Sequence, residues 1–171
     1  MSRSLSLTLR ASLFAEVSAD ILACLITITH PSLDAPVLLS TDPTTRLQVD
    51  PELLYGTVSR GNTYYFLPIS VTLPDDSDGV APSITLTIDN ISRELVPMVR
   101  GLNSQRVRAK ATIEIIRVAD PDTVEFAFPS FDVMAASYDA MQVTLTLGID
   151  ALVTEQFPTG LYSSSGFPNL F

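Results

Sequence analysis

Alternation of apolar and polar residues predicts most of the secondary structure of this chain. Over 83–89, Ile84, Leu86 and Ile88 alternate with Ser and Thr, which is typical of a half-buried strand. The same period of two recurs over 107–115 and 143–149. Further strands, bounded or interrupted by proline, are predicted over 21–30, 37–40, part of 45–50, 64–74 and 124–137. At Ile115-Ile116 the alternation changes phase, which predicts a β-bulge.

Two segments have helical spacing instead. Near the N-terminus, apolar residues recur every three or four positions and predict a helix over about 8–19: Leu9, Leu13, Phe14, Val17 and Ile21. Between the strands 83–89 and 107–115, Leu95, Val99 and Leu102 predict a second helix with Ser92 as its N-cap. Pro97 limits that helix to one to three turns.

The order of these elements indicates a mainly β fold, either an antiparallel sandwich or an open barrel with one or two short helices. Residues 1–150 are predicted to form one β-rich domain with an N-terminal helix. Residues 151–171 are predicted to form an extended C-terminal arm. Its aromatic residues are expected to pack on the chain's own core or on a neighbouring subunit: Phe157, Tyr162, Phe167 and Phe171.

The charge of the chain is low and unevenly distributed. Charged residues make up 17% of the sequence, below the usual quarter, so either partner chains cover some surface or its polar faces are neutral. The segment 93–117 holds six of the ten basic and two of the nineteen acidic residues, and therefore carries +4 against −13 elsewhere. This suits contacts between a basic and an acidic face, with Arg106, Arg108 and Lys110 as candidates. The alternative is a solvated strand face, and neither interpretation favours a general nucleic-acid binder.

The sequence offers no strong catalytic or metal-binding pattern. Cys24 is the only cysteine, which excludes an intrachain disulfide, and it is predicted to act as a small buried hydrophobe. His30 is the only histidine and is predicted to bond a loop backbone at a strand end. Asp75, Asp76 and Asp78 lack the spacing of an EF-hand and predict a solvated turn. No catalytic, cofactor-binding or metal residues are therefore predicted, and the chain is expected to be a non-enzyme.

The sequence also lacks the features of export or membrane insertion. No signal-peptide pattern and no run of about 20 apolar residues is present, so synthesis and folding are expected in a cytoplasm.

Several segments together resemble a known family. They are Leu25-Ile-Thr-Ile-Thr-His-Pro31, Leu73-Pro-Asp-Asp-Ser-Asp-Gly79, Ile84-Thr-Leu-Thr-Ile-Asp-Asn-Ile-Ser-Arg-Glu-Leu-Val96, Asp120-Pro-Asp122 and Phe167-Pro-Asn-Leu-Phe171. Over nearly the whole chain the sequence is similar to an uncharacterised family of tailed-phage and prophage minor tail proteins. It looks like the hub domain of lambda-like minor tail protein L, or like a distal tail ring.

The resemblance implies a structural subunit of a siphophage-like tail tip, with residues 1–150 as a hub-like domain and no cofactor. Such subunits form rings of three or six copies between the tail tube and a central hub or fibre. They leave a channel for DNA, and an acidic lining would let DNA pass without binding it. The implied location is the virion tail, after synthesis in the bacterial host cytoplasm.

Two other functions compete with this one. A β-sandwich that binds a carbohydrate or a receptor would need an exposed aromatic cleft, for which Tyr64, Tyr65 and Phe66 are the candidates. An enzyme would have to use His30.

Overall fold

A computed structural model describes residues 5–50, 53–72, 83–89, 107–139 and 141–149. Within these residues it contains one helix and eleven strands. Their bounds are α1 (Leu7–Leu13), β1 (Leu22–Thr29), β2 (Val37–Ser40), β3 (Thr45–Gln48), β4 (Leu54–Ser59), β5 (Asn62–Phe66), β6 (Ile69–Thr72), β7 (Ser83–Asp89), β8 (Lys110–Arg117), β9 (Asp120–Ala127), β10 (Phe131–Tyr138) and β11 (Gln142–Gly148).

The strands form one sheet in the order β3-β4-β5-β2-β1-β8-β10-β11-β7-β6. Strand β9 also pairs with β8, so one edge of β8 is shared between β10 and β9. The pairs are antiparallel except β2–β5. Strands β5 and β6 are far apart in this order, yet only Leu67 and Pro68 join them. The sheet therefore curls into a half-barrel, which confirms the mainly β fold and the open-barrel alternative.

The interior of the half-barrel is apolar and closely packed. The alternating residues of β7 lie opposite those of β11, with Ile84 beside Leu147 and Leu86 beside Leu145. These side chains are fully buried, as the strand pattern predicted. Ile88 of β7 and Val143 of β11 belong to the same barrel core. Four more strands or their approaches also contribute to it: Ile26, Ile28, Leu39, Ala109, Ala111, Ile113, Phe131 and Val133.

A second apolar cluster lies on the opposite face of β1 and β8. Ala23 and Leu25 of β1 pack there with Ile116 of β8 and Tyr64 of β5. Strands β3, β4 and β5 are called the outer leaf below. Tyr64 of β5 is the residue through which the leaf covers this cluster. Strand β1 is consequently buried on both faces, which explains its almost continuous run of apolar residues.

A two-residue turn at the tip of the outer leaf fixes it against β9. Arg60 and Gly61 both have positive φ, at 51° and 79°, as a tight hairpin turn requires. The Ser59 hydroxyl donates to the Pro121 carbonyl at 2.6 Å, and the Arg60 N–H donates to Asp122 Oδ1 at 2.6 Å. The leaf is thus tied to the sheet at its tip.

A bulge occurs where the sequence predicted one, but the extra residue belongs to the partner strand. Ile115 pairs with Phe126 and Ile116 pairs with Val124, so Glu125 of β9 has no partner in the ladder. Along β8 the alternation itself continues. Ile116 is buried because it belongs to the second cluster, whereas Ile113 faces the barrel core.

Three predicted elements differ from the structure, and one strand was missed. The N-terminal helix ends at Leu13 rather than near residue 19, and a turn and bends follow it. The single strand predicted over 64–74 is two strands, because the chain leaves β2 and joins β7 at Leu67-Pro68.

The other two differences concern a missed strand and a misplaced turn. Strand β4 was not predicted at all. The turn predicted at 120–122 lies at 118–119, and β9 begins with Asp120-Pro121, where a strand tolerates proline. The helix predicted within 92–103 lies outside the described residues.

Candidate assembly surfaces

The predicted basic face is partly described. Lys110 is exposed at the first position of β8, and Arg108 is exposed just before it. Arg106 lies outside the described residues. Lys110 and Glu114 lie on the same face of β8, so this face carries one positive and one negative charge.

Glu114 is already engaged by the outer leaf. The Arg60 guanidinium bonds its carboxylate with both terminal nitrogens, one of them 3.3 Å from Oε1. The hydrogen bond with Glu114 raises the pKa of the Arg60 guanidinium. Within the described residues, the outer leaf thus engages this face of β8 at Glu114, while Lys110 at its other end is exposed.

The predicted aromatic arm is not among the described residues. Its four candidate residues, Phe157, Tyr162, Phe167 and Phe171, lie outside the described residues, as does all of 151–171. Their role in subunit contacts stays a prediction.

A buried carboxylate at the β9 bulge anchors the N-terminal helix. Glu125 is 6% exposed and accepts from the Ser6 N–H at 3.0 Å and from the Ser6 hydroxyl at 2.7 Å. Arg117 Nε donates to the same carboxylate at 2.9 Å. Ser6 is also the N-cap of α1, because its hydroxyl accepts from the Leu9 N–H at 3.1 Å.

These contacts decide the ionisation of Glu125. Burial alone would raise its pKa, but the hydrogen bonds from Ser6 and the charge of Arg117 outweigh burial and lower it. The carboxylate is therefore charged at neutral pH, and the bulge directs it at the start of α1. Glu125 could not be found from the sequence, because the phase change in β8 does not show which residue of the paired strand β9 is left unpaired.

The N-terminal segment exposes an unusual amount of apolar surface. In α1 only Leu9 is buried. Six large apolar side chains between residues 7 and 22 are exposed, and they are called the N-terminal apolar surface below: Leu7, Leu13, Phe14, Val17, Ile21 and Leu22. The spacing of this segment predicted a helix, and of the five residues that carry the spacing the structure buries only Leu9.

The sequence did contain a sign of this exposure. Leu7 and Phe14 are seven residues apart and so share a helix face, whereas Leu9 and Leu13 share a different one. A helix that is apolar on two faces has more apolar surface than one core can cover.

The single histidine has the structural role that was predicted. His30 is buried, its Nδ1 accepts from the Ser32 N–H at 3.1 Å, and its Nε2 therefore donates to the Val107 carbonyl at 3.0 Å. It thus joins the end of β1 to the segment before β8. Both ring nitrogens are occupied by structural partners.

The lone cysteine is also structural. Cys24 is half-buried against the barrel core, and burial raises the pKa of its thiol, which makes the reactive thiolate scarce at neutral pH.

The three candidate residues, Tyr64, Tyr65 and Phe66, do not form the aromatic cleft that a carbohydrate-binding module requires. Tyr64 is buried in the second cluster, while Tyr65 is half-exposed. Phe66 lines a depression of 340 Å³ at the seam between β5 and β6, together with Thr41, Pro68, Ile69, Ser70, Thr87 and Asp89. The candidate residues do not present three stacked aromatic faces to a sugar.

The described part of the chain shows neither a group of metal ligands nor a membrane-spanning helix. No three His, Cys, Asp or Glu side chains in it are grouped closely enough to hold a metal ion. None of its helices has the length and apolarity needed to cross a bilayer.

Comparison with known proteins gives a family and a fold. A family model described as a domain of unknown function, DUF1833, matches residues 8–162. No curated protein sequence matches the chain. The fold is similar to a chain in the virion of a native gene transfer agent particle, with a TM-score of 0.56 and 16% sequence identity. That likeness covers 92% of this chain and 49% of the virion chain, so this chain spans about half its length.

Proposed function

The chain belongs to the DUF1833 family, and we propose that it is a non-enzymatic structural component of the tail tip of a phage-like virion. The observation that carries the proposal is the likeness of its fold, over 92% of the chain, to a chain of a gene transfer agent virion. The sequence segments that resemble minor tail proteins of tailed phages support the same class of function. The hub of lambda-like protein L and the distal tail ring are the two positions that this resemblance favours.

The surface of the chain supports an assembly role. Large apolar side chains are exposed on the N-terminal segment. By contrast, the polar groups buried in the described residues are used internally, as Glu125 and His30 illustrate. Exposed apolar patches of this kind are typical of protein–protein contacts.

The proposed partners follow from the tail-tip role. They are further copies of this chain in a ring of three or six, and the neighbouring tail-tube, hub and fibre proteins. Arg106, Arg108, Lys110 and the aromatic residues of the arm are proposed to make the ring contacts. The proposed location is the virion tail, and the acidic excess of the chain would line a channel through which DNA passes.

The experiment that tests the tail role uses assembled particles. An epitope-tagged full chain is expressed in a host that produces the particles, and purified particles are analysed by mass spectrometry and immunogold microscopy. The chain is expected at a few copies per particle, with gold at the tail end distant from the head. Particles that lack the chain, or that carry gold on the head, would overturn the proposal.

The arm is tested separately by deleting residues 157–171. If the arm docks on a neighbour, the truncated chain keeps the circular dichroism and thermal transition of the full chain but is absent from particles. A truncated chain that is unfolded or insoluble would show instead that the arm belongs to its own core.

A further inference from the structure

The helix α1 carries apolar residues on the side that faces away from the barrel. Leu9 packs inward at 3% exposure, whereas Leu7 is 82% and Phe14 is 87% exposed. Leu7, Arg10 and Phe14 follow one another at i, i+3 and i+7 and so form one stripe along the helix. A surface helix normally presents polar residues on its outer face, so this stripe requires a partner to cover it.

The size of the exposed surface matches a protein interface. The six side chains of the N-terminal apolar surface are between 46% and 88% exposed. At roughly 150–200 Å² for a large apolar side chain, they present on the order of 700 Å². A stable complex buries about 800 Å² on each partner, so the summed exposed area of this segment is of the same order.

The start of this segment is also held in place before any partner binds. The Ser6–Glu125–Arg117 contacts fix the first turn of α1 to β9. Because this turn is already ordered, it loses less entropy on association than a loose turn would.

The charges within the segment favour a second copy of this chain as the partner. Arg10 precedes Leu13 and Phe14, and Glu16 and Asp20 follow them; all three charged residues are exposed. Within the described residues none of the three forms an ion pair. When two such segments pack antiparallel about a two-fold axis midway between Arg10 and Glu16, Arg10 of each copy lies toward Glu16 of the other.

We propose that the N-terminal apolar surface is a self-association interface, through which two copies of the chain pack about a two-fold axis with Arg10 opposite Glu16. This interface is distinct from the basic face of β8 and from the arm. It does not depend on the tail role, because self-association is a property of the purified chain. Its test can therefore fail while the chain is still found in tails, and the reverse also holds.

The first test measures the mass of the purified full chain by light scattering and sedimentation between about 1 and 100 µM, where mass action reveals moderate affinities. The wild-type chain is expected to dimerise in this range. The double variant Phe14→Asp/Val17→Asp is expected to weaken dimerisation by about tenfold or more. Both positions are almost fully exposed, so its thermal transition should match that of the wild type at concentrations too low for dimerisation.

The matched control is Met141→Asp, which places the same charge at an 80% exposed apolar position on the β10–β11 hairpin. It is expected to leave dimerisation unchanged. A wild-type chain that stays monomeric throughout the range would overturn the proposal. So would an assembly that persists in Phe14→Asp/Val17→Asp or that Met141→Asp dissociates equally.

A charge exchange tests the two-fold pairing itself. Arg10→Glu and Glu16→Arg should each weaken dimerisation severalfold, because each places like charges opposite one another. The double variant Arg10→Glu/Glu16→Arg should recover most of the wild-type affinity. A double variant as weak as the single ones would overturn the pairing of Arg10 with Glu16.

Discussion

Strand β11 and the N-terminal segment 7–22 both carry a regular series of large apolar residues, yet only β11 buries them. Val143, Leu145 and Leu147 of β11 are fully buried in the barrel core. In the N-terminal segment the series is equally regular, but Leu9 is buried while six other large apolar side chains are exposed. The period of an apolar pattern thus predicts which side of an element needs cover. It does not predict whether the cover comes from the same chain.

Shortening one leucine in each region tests this difference most directly. Leu145→Ala removes a fully buried side chain from the barrel core and should lower the free energy of unfolding by about 2–5 kcal/mol. Leu7→Ala removes a side chain that is 82% exposed, and should change the free energy of unfolding of the monomer by less than about 0.5 kcal/mol. Urea unfolding at low protein concentration measures both. Equal losses would mean that the N-terminal segment is packed on its own chain.

Two glycines test how firmly the outer leaf is attached to the rest of the sheet. A Cβ at Gly56 would lie 2.0 Å from the Tyr64 carbonyl oxygen and 2.8 Å from Leu47 Cδ1. Gly56→Ala should therefore force β4 and β5 apart at a cost of about 1–3 kcal/mol or more. Hydrogen exchange should accelerate at the amides of β4 and β5 while those of β8 stay protected.

Gly61→Ala is the matched control for the leaf. Its new Cβ would meet nothing within 4 Å, but its φ of 79° disfavours a side chain. The expected loss is about 1 kcal/mol, from the strained turn alone. If Gly56→Ala cost no more than Gly61→Ala, the close approach of β4 to β5 would not be a packing constraint.

Much of the barrel could be predicted from the sequence because it depends on local patterns. Strands β2, β7 and β11 lie where the alternation of apolar and polar residues and the flanking prolines predicted strands. The structural role of His30 followed from its position at a strand end before a proline. In both cases the decisive information lies within a few residues along the chain.

The outer leaf and the bulge could not be fully predicted, because they depend on residues that are distant in sequence. Strand β4 has a weak alternation, and its pairing depends on the turn at Arg60-Gly61 and on contacts with β9. The phase change at Ile115-Ile116 arises from the cluster on the second face of β8 and from the extra residue Glu125. The exposure of the N-terminal apolar surface likewise depends on what the rest of the chain leaves uncovered.

The contact that holds the exposed segment to the barrel should depend on pH. Because the pKa of Glu125 is lowered in the folded chain, its ionised form stabilises the fold above the unfolded-state pKa of about 4.3. That contribution is lost as the pH falls through the lower folded-state pKa. Glu125→Gln should therefore cost about 1–3 kcal/mol at pH 7 and much less near pH 3, as thermal unfolding at both pH values would show. Asp34→Asn, an exposed control outside the proposed interface, should cost almost nothing at either pH. An equal cost of Glu125→Gln at both pH values would mean that the shape of its side chain, rather than its charge, anchors α1.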